Sequence, residues 1–144
     1  MEPERAFRAE AESSTILLVE DDSLIRLTTA EYLRGVGYTV IEAVTGEEAV
    51  AVLSSSVRVH LIFSDVSLPG AMGGFSLAVW VRNHLRSIPV VLTSGVDSAV
   101  RPLDRHKLIP FIAKPFRMED AEKLIASALA NAPFAGRANT TSPE

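Results

Sequence analysis

Leu61-Ile62-Phe63 is a run of large apolar residues that ends in Ser64-Asp65 and is followed at once by Val66-Ser67-Leu68-Pro69-Gly70. A short apolar run bounded by a breaker is the pattern of a strand buried on both faces, which a parallel sheet covered by helices on both sides supplies. Proline and glycine stop regular structure there. Asp65 is therefore placed at the carboxyl end of a central strand, the rim on which open α/β sheets hold their ligands.

The rest of the chain repeats this alternation. Thr15–Val19 reads as a first buried strand, with Glu20-Asp21-Asp22 at its carboxyl end. Residues 23–36 read as a helix with Ile25, Tyr32, Leu33 and Val36 near one face, ended by Gly35 and Gly37. Tyr38–Glu42 is a second strand. Thr45 and Glu48 form a capping box that opens a helix burying Ala49, Val52 and Leu53, closed by Ser54-Ser55-Ser56. A glycine-rich loop, residues 70–74, leads to a helix over residues 75–85. Pro89–Thr93 and Ile109–Ala113 are the fourth and fifth strands. Between them, Asp97 is a candidate helix cap and Pro102 makes residues 97–107 irregular. The last helix carries Ala121, Leu124, Ile125, Ala128 and Leu129 at helical spacing. Residues 1–14 read as a disordered arm and residues 131–144 as a disordered tail, which leaves one domain over residues 15–130.

Strands alternating with helices imply right-handed crossovers and a parallel sheet. The order 2-1-3-4-5 is the flavodoxin-like, doubly wound (βα)5 solution. It makes strands one and three neighbours at the switch point, so that Glu20, Asp21 and Asp65 meet. Thr93 and Lys114 arrive on the same rim from strands four and five.

Composition narrows the chemistry. The chain has no cysteine, which excludes disulfides, thiol catalysis and cysteine–zinc sites and fits a reducing, cytoplasmic compartment. A formal charge of −4 without a Lys/Arg run argues against nucleic acid as a partner. No apolar run is long enough to span a membrane, and the charged N-terminus has no signal-peptide character.

Carboxylates converging on one rim repel one another, and a hard divalent cation such as Mg2+ removes the conflict. A carboxylate can also be a nucleophile toward a phosphoryl group. Metal, ammonium and hydroxyl donors stabilise the charge spread over the equatorial oxygens of that transition state. Lys114 supplies the ammonium and Thr93 the hydroxyl.

The motifs Ile-Leu-Leu-Val-Glu-Asp-Asp at 16–22, Phe-Ser-Asp-Val-Ser-Leu-Pro-Gly at 63–70, Val-Leu-Thr-Ser-Gly at 91–95 and Ala-Lys-Pro-Phe at 113–116 stand in this order and spacing on five strands. In this the sequence resembles the CheY-like receiver domains of two-component response regulators. The resemblance covers residues 15–130. It implies that Asp65 accepts a phosphoryl group from a phosphohistidine on a sensor histidine kinase or phosphotransfer protein. It implies Mg2+ held by Asp21 and Asp65, by Glu20 through water and by the backbone carbonyl of Ser67. It implies that Thr93 and Lys114 contact the phosphoryl oxygens, that Phe111 swings inward on switching, and that the Lys114–Pro115 bond is cis. The readout would be a population shift of the surface built by the last two strands and their helices.

The sequence departs from the pattern in places. The loop after Asp65 is one residue longer than the commonest form, and Gly73 stands where an aspartate is usual. Small residues at Ser67 and Gly95 leave a path for attacking water open, which implies a short-lived phosphorylated state. Val79 and Trp80 stand on the third helix where such domains usually carry charge. They form either a partner patch or a covered surface. His60, His84 and His106 have no ligand spacing and read as surface or incidental.

The reading reached is a single-domain response regulator. It is a monomer or weak homodimer and no enzyme beyond slow self-catalysed phosphorylation and dephosphorylation. Its output is a protein contact or onward phosphotransfer. The alternatives are a receiver fragment of a hybrid histidine kinase and a small aspartyl-phosphate phosphatase. Such phosphatases usually carry a second aspartate two residues after the nucleophile, where this chain has Ser67. A flavin carrier is disfavoured, because Glu20-Asp21-Asp22 would repel a flavin phosphate.

Overall fold

The computed structural model describes residues 14–95 and 109–132. Five parallel strands form one sheet in the order β2-β1-β3-β4-β5. They are β1 (Thr15–Val19), β2 (Thr39–Ala43), β3 (Leu61–Asp65), β4 (Val90–Ser94) and β5 (Phe111–Ala113). The helices among the described residues are α1 (Ser23–Val36), α2 (Gly46–Leu53), α3 (Gly74–His84) and α4 (Met118–Asn131). This is the flavodoxin-like order expected from the sequence. The boundaries of β2, β4 and α3 shift by one residue, and β5 is shorter, beginning only at Phe111. The expected Asp97 cap, the irregular stretch 97–107 and His106 lie outside the described residues, as do residues 1–13 and 133–144 of the arm and tail. Ser14, assigned to the arm, is instead buried, and its carbonyl accepts from the Thr39 N–H.

Alternation along each strand splits the core in two. Ile16 and Leu18 of β1, Leu61 and Phe63 of β3 and Val91 of β4 pack under Ala30 and Leu33 of α1 and Ala121, Ile125 and Leu129 of α4. Leu17, Val19 and Ile62 face the other way, onto Ala49 and Leu53 of α2 and Leu77 and Val81 of α3. Each large side chain among these contributes roughly 1.5–3 kcal/mol. Val52, Leu124 and Ala128, expected in the buried faces, are only partly buried at their rims.

Local signals set the helix ends. Asp22 caps α1 by accepting from the Ile25 N–H at 3.0 Å, and Gly37 at φ 127° closes it. Thr45 caps α2 through the Glu48 N–H, but the Glu48 carboxylate reaches one residue further back than the usual box, to the Val44 N–H at 2.8 Å. The Tyr32 hydroxyl donates to Glu122 at 2.7 Å and joins α1 to α4. That hydrogen bond, helped by burial, pushes the phenol up to about 12. No helix among the described residues is long and apolar enough to cross a membrane.

Candidate functional site: an acidic rim at the end of β3

The register sets Asp65 directly opposite Thr93, one step beyond the Phe63–Val91 pair on the same face. Both therefore lie on the sheet face that α1 and α4 cover, at its carboxyl rim. Asp65 is buried in the fully buried strand β3. Its backbone is pinned on both sides. The Ser64 hydroxyl donates to its carbonyl at 2.9 Å, and the next residue's N–H, at Val66, donates to the Thr93 carbonyl at 2.8 Å. Its side chain accepts from the Ser67 N–H at 3.1 Å, which folds the following loop back over it.

Lys114 closes the rim. Its ammonium donates to Asp65 Oδ2 at 2.9 Å and to Glu20 Oε1 at 2.8 Å. Burial alone would lower the Lys114 ammonium, but the hydrogen bonds to Glu20 and Asp65, and their charges, outweigh it and hold it above its ordinary value. Glu20 is 3% exposed, and burial raises its carboxyl above the usual range against the pull of Lys114 and of the Asp22 N–H. Asp21 is exposed at the outer edge. Carboxylate oxygens of Glu20, Asp21 and Asp65 lie within 4.8 Å of one another.

The oxygen-only donor set and the charge crowding fit a hard divalent cation. One atom asks for a further ligand. Thr93 Oγ1 is buried, beside Asp65, with no hydrogen-bond partner among the described residues. A buried hydroxyl left so is uncommon and costly.

Residues 16–126 match the response regulator receiver domain. The chain belongs to that family. This receiver is 36% identical over 122 residues to a cyclic di-GMP phosphodiesterase of Thermotoga maritima, covering 83% of the chain and 32% of that protein. It is 34% identical over 113 residues to the two-component response regulator ORR3 of Oryza sativa, covering 76% of the chain and 86% of that protein. Among solved structures, the receiver domain of the hybrid histidine kinase CckA superposes with a TM-score of 0.65 at 31% identity, over 80% of this chain and 98% of that one. The receiver thus spans only a third of the phosphodiesterase but most of ORR3.

The structure brings Glu20, Asp21, Asp65, Thr93 and Lys114 of the receiver together as the sequence implied, and the Lys114–Pro115 peptide is cis. Phe111 stands apart. It pairs with Leu92, and alternation turns it to the sheet face opposite Ile112 and Thr93. Of the two readings left open for Val79 and Trp80, a partner patch or a covered surface, the structure divides the pair. Val79 is 50% exposed, but Trp80 packs against the α2–α3 core and stacks on His84 at 4.4 Å. His84 is exposed, as the surface reading has it, although its Nδ1 lies 2.8 Å from the Trp80 carbonyl. His60 is partly buried and is not incidental: its Nδ1 accepts from the Thr15 N–H at 3.0 Å while its own backbone N–H donates to the Thr15 carbonyl.

Sequence reasoning missed Arg26. Its guanidinium donates to the Glu20 carbonyl at 3.0 Å and pairs with Glu42 of β2 at 3.1 Å. No motif marks it, because one of its acceptors is a backbone atom and the other lies on a different element. Also missed was a cavity of about 480 Å3 beside the site, bounded by Leu24, Ile25 and Thr28 of α1 and by Lys114, Pro115 and Phe116. Leu24 is 74% exposed and Leu27 55%.

Proposed function

We propose that this receiver is a phosphorylatable switch in a phosphorelay, with Asp65 as phosphoacceptor. An Asp65 carboxylate oxygen attacks the phosphorus of a partner's phosphohistidine. The P–O bond forms as the P–N bond breaks, and the imidazole keeps the electron pair. The observation that carries this reading is the buried Asp65 flanked by the Lys114 ammonium at 2.9 Å and by the Thr93 hydroxyl, which has no partner among the described residues. Lys114 can neutralise charge on the transferred group, and Thr93 can donate to one of its oxygens. Glu20, Asp21, Asp65 and the Ser67 carbonyl would hold Mg2+. That ion, when bound, supplies positive charge to the phosphoryl oxygens. Thr93, once engaged, offers a means of coupling the site to β5 and Phe111.

Apolar surface near the nucleophile suits a macromolecular donor, and the exposed Leu24, which lines the cavity with Lys114, supplies it. A sensor histidine kinase or phosphotransfer protein fits. The chain's own chemistry extends to slow self-catalysed phosphorylation and hydrolysis and no further. Likeness to ORR3, most of whose length this receiver spans, supports a single-domain regulator with a protein-contact or relay output. Likeness to the CckA receiver supports the second reading, a receiver that serves a hybrid kinase.

The deciding experiment is intact-protein mass after incubation with a small phosphodonor, with and without Mg2+, beside Asp65→Asn. One phosphoryl adduct that needs both Mg2+ and Asp65 is expected. An adduct on the variant, or none on the wild type in any condition, refutes the assignment.

A further inference from the structure

The loop that presents Glu20 and Asp21 is held from one side by a single residue. Arg26 grips it at both ends. Its backbone N–H donates to the Asp22 carbonyl at 2.9 Å, and its guanidinium Nη1 donates to the Glu20 carbonyl at 3.0 Å. Asp21 lies between these two points, with no side-chain hydrogen bond of its own among the described residues. The other ties are the Glu20 N–H to the Ala43 carbonyl at 3.0 Å, the Asp22 N–H to Glu20 Oε2 at 3.1 Å, the Lys114 ammonium to Glu20 Oε1 at 2.8 Å and the Ile25 N–H to Asp22 Oδ1 at 3.0 Å. They hold the Glu20 and Asp22 side chains and the Glu20 N–H, and none of them holds the carbonyl of the peptide plane that follows Glu20. The Arg26 contact does.

Arg26 is itself held. Its Nε pairs with Glu42 Oε1 at 3.1 Å, and the other oxygen of Glu42 pairs with Arg34 Nη1 at 3.1 Å, two turns further along α1. Glu42 thus orients the fork of Arg26 and offsets its charge. The Arg26 side chain is 16% exposed, so this pair is shielded more than an ordinary surface contact.

We infer that Arg26 is a positioning residue of the cation pocket: by fixing the Glu20 carbonyl, and so the peptide plane that leads into Asp21, it sets the direction of the Asp21 carboxylate. The inference rests on reading Glu20, Asp21 and Asp65 as a divalent-cation site. Groups behind metal ligands typically change affinity 10- to 100-fold when removed. Charge alone predicts the opposite sign. A guanidinium beside three carboxylates repels a cation, so a purely electrostatic Arg26 would weaken Mg2+ binding and its removal would tighten it. The sign of the effect separates the two roles.

The test is an NMR titration with MgCl2 that follows the amides of Asp21, Asp22 and Ser67 in the wild type, Arg26→Met, Arg26→Lys and Arg34→Met. Arg34 is the control. It shares Glu42 and also donates to the Val40 carbonyl at 2.8 Å, but it makes no contact with Glu20. Arg26→Met is expected to weaken Mg2+ binding about tenfold. Arg26→Lys recovers part of this, since a lysine reaches one acceptor but not both. Arg34→Met stays near the wild type. Unchanged or tighter binding in Arg26→Met overturns the inference, as does equal weakening in Arg34→Met, which would show only a general loosening of α1. A wild type whose amides do not respond to MgCl2 refutes the cation site itself, and the inference falls with it.

Discussion

Lys114 and Asp65 are joined across the sheet. The ammonium just past β5 lies 2.9 Å from the carboxylate at the end of β3, with β4 between them. The same ammonium holds Glu20 at 2.8 Å. One cation of the chain's own therefore holds two of the carboxylates that a divalent cation would need, and an ion bound there would compete with it.

This competition predicts the behaviour of Lys114→Met. Without Mg2+ the variant leaves buried carboxylates unpaired, and it is expected to lose about 2–3 kcal/mol, somewhat less than a fully buried pair because Lys114 retains some exposure. With Mg2+ it is expected to regain more than the wild type does, because its carboxylates are free for the ion. Thermal unfolding with and without MgCl2 checks this. A smaller Mg2+-induced rise in Tm for the variant than for the wild type would contradict it.

Two glycines predict opposite outcomes for the same substitution. A Cβ at Gly74 would clash with the Asp65 carbonyl oxygen and stand 2.7 Å from Val66 Cα, both backbone atoms that cannot step aside. Gly74→Ala is expected to cost about 1–3 kcal/mol and to slow phosphoryl acceptance by displacing Asp65. A Cβ at Gly35 in α1 meets nothing within 4 Å. Gly35→Ala is expected to stabilise by about 0.5–1 kcal/mol, through helix propensity and a less flexible unfolded chain. Urea unfolding of both variants measures this.

His60 predicts an acid-side loss of stability. Burial, and then the nearby Arg58 charge, hold its imidazole below the ordinary 6.5. Its Nδ1 must stay unprotonated to accept from the Thr15 N–H. A histidine with a lowered folded-state value binds fewer protons folded than unfolded. Its contribution is present above the ordinary value and is lost as pH falls through the window below it. An asparagine side chain at this position keeps an acceptor but does not titrate, so His60→Asn is expected to flatten this part of the curve. Denaturant midpoints measured from neutral pH down through that window decide it, and equal slopes would exclude the role.

What was legible in the sequence follows from range. Strands, their order and the Asp65–Thr93–Lys114 rim follow from apolar runs ending in polar residues, because β-register carries each strand end to the same edge. Thr45 was legible as a cap, since caps act within one turn. Arg26, His60 and the Trp80–His84 stack were not. Arg26 and His60 work through backbone atoms of other segments. Trp80 is partly buried against the core between α2 and α3 and stacks on His84, which the count of charges on α3 does not reveal. The role of Phe111 rests on resemblance, and its place on the face opposite Thr93 makes any coupling between them run through β4 and β5.

Thr93 predicts a conflict between stability and switching. Its hydroxyl is buried at 4% exposure with no partner among the described residues. Leaving such a group unsatisfied costs about 1–3 kcal/mol, while an apolar group of the same shape has nothing to satisfy. Thr93→Val is therefore expected to raise stability by about 1 kcal/mol, read as a higher urea midpoint at unchanged m-value. The variant still carries Asp65 and Lys114, so a phosphoryl adduct should form on treatment with a small phosphodonor. What it should lose is the response. Hydrogen exchange of β4, β5 and α4 should change on phosphorylation in the wild type and not in the variant, because no hydroxyl remains to follow the phosphoryl oxygen. A variant less stable than the wild type would show that the hydroxyl already has a partner, such as a bound water. A variant with an intact exchange response would move the coupling from Thr93 to Lys114, the other donor on the rim.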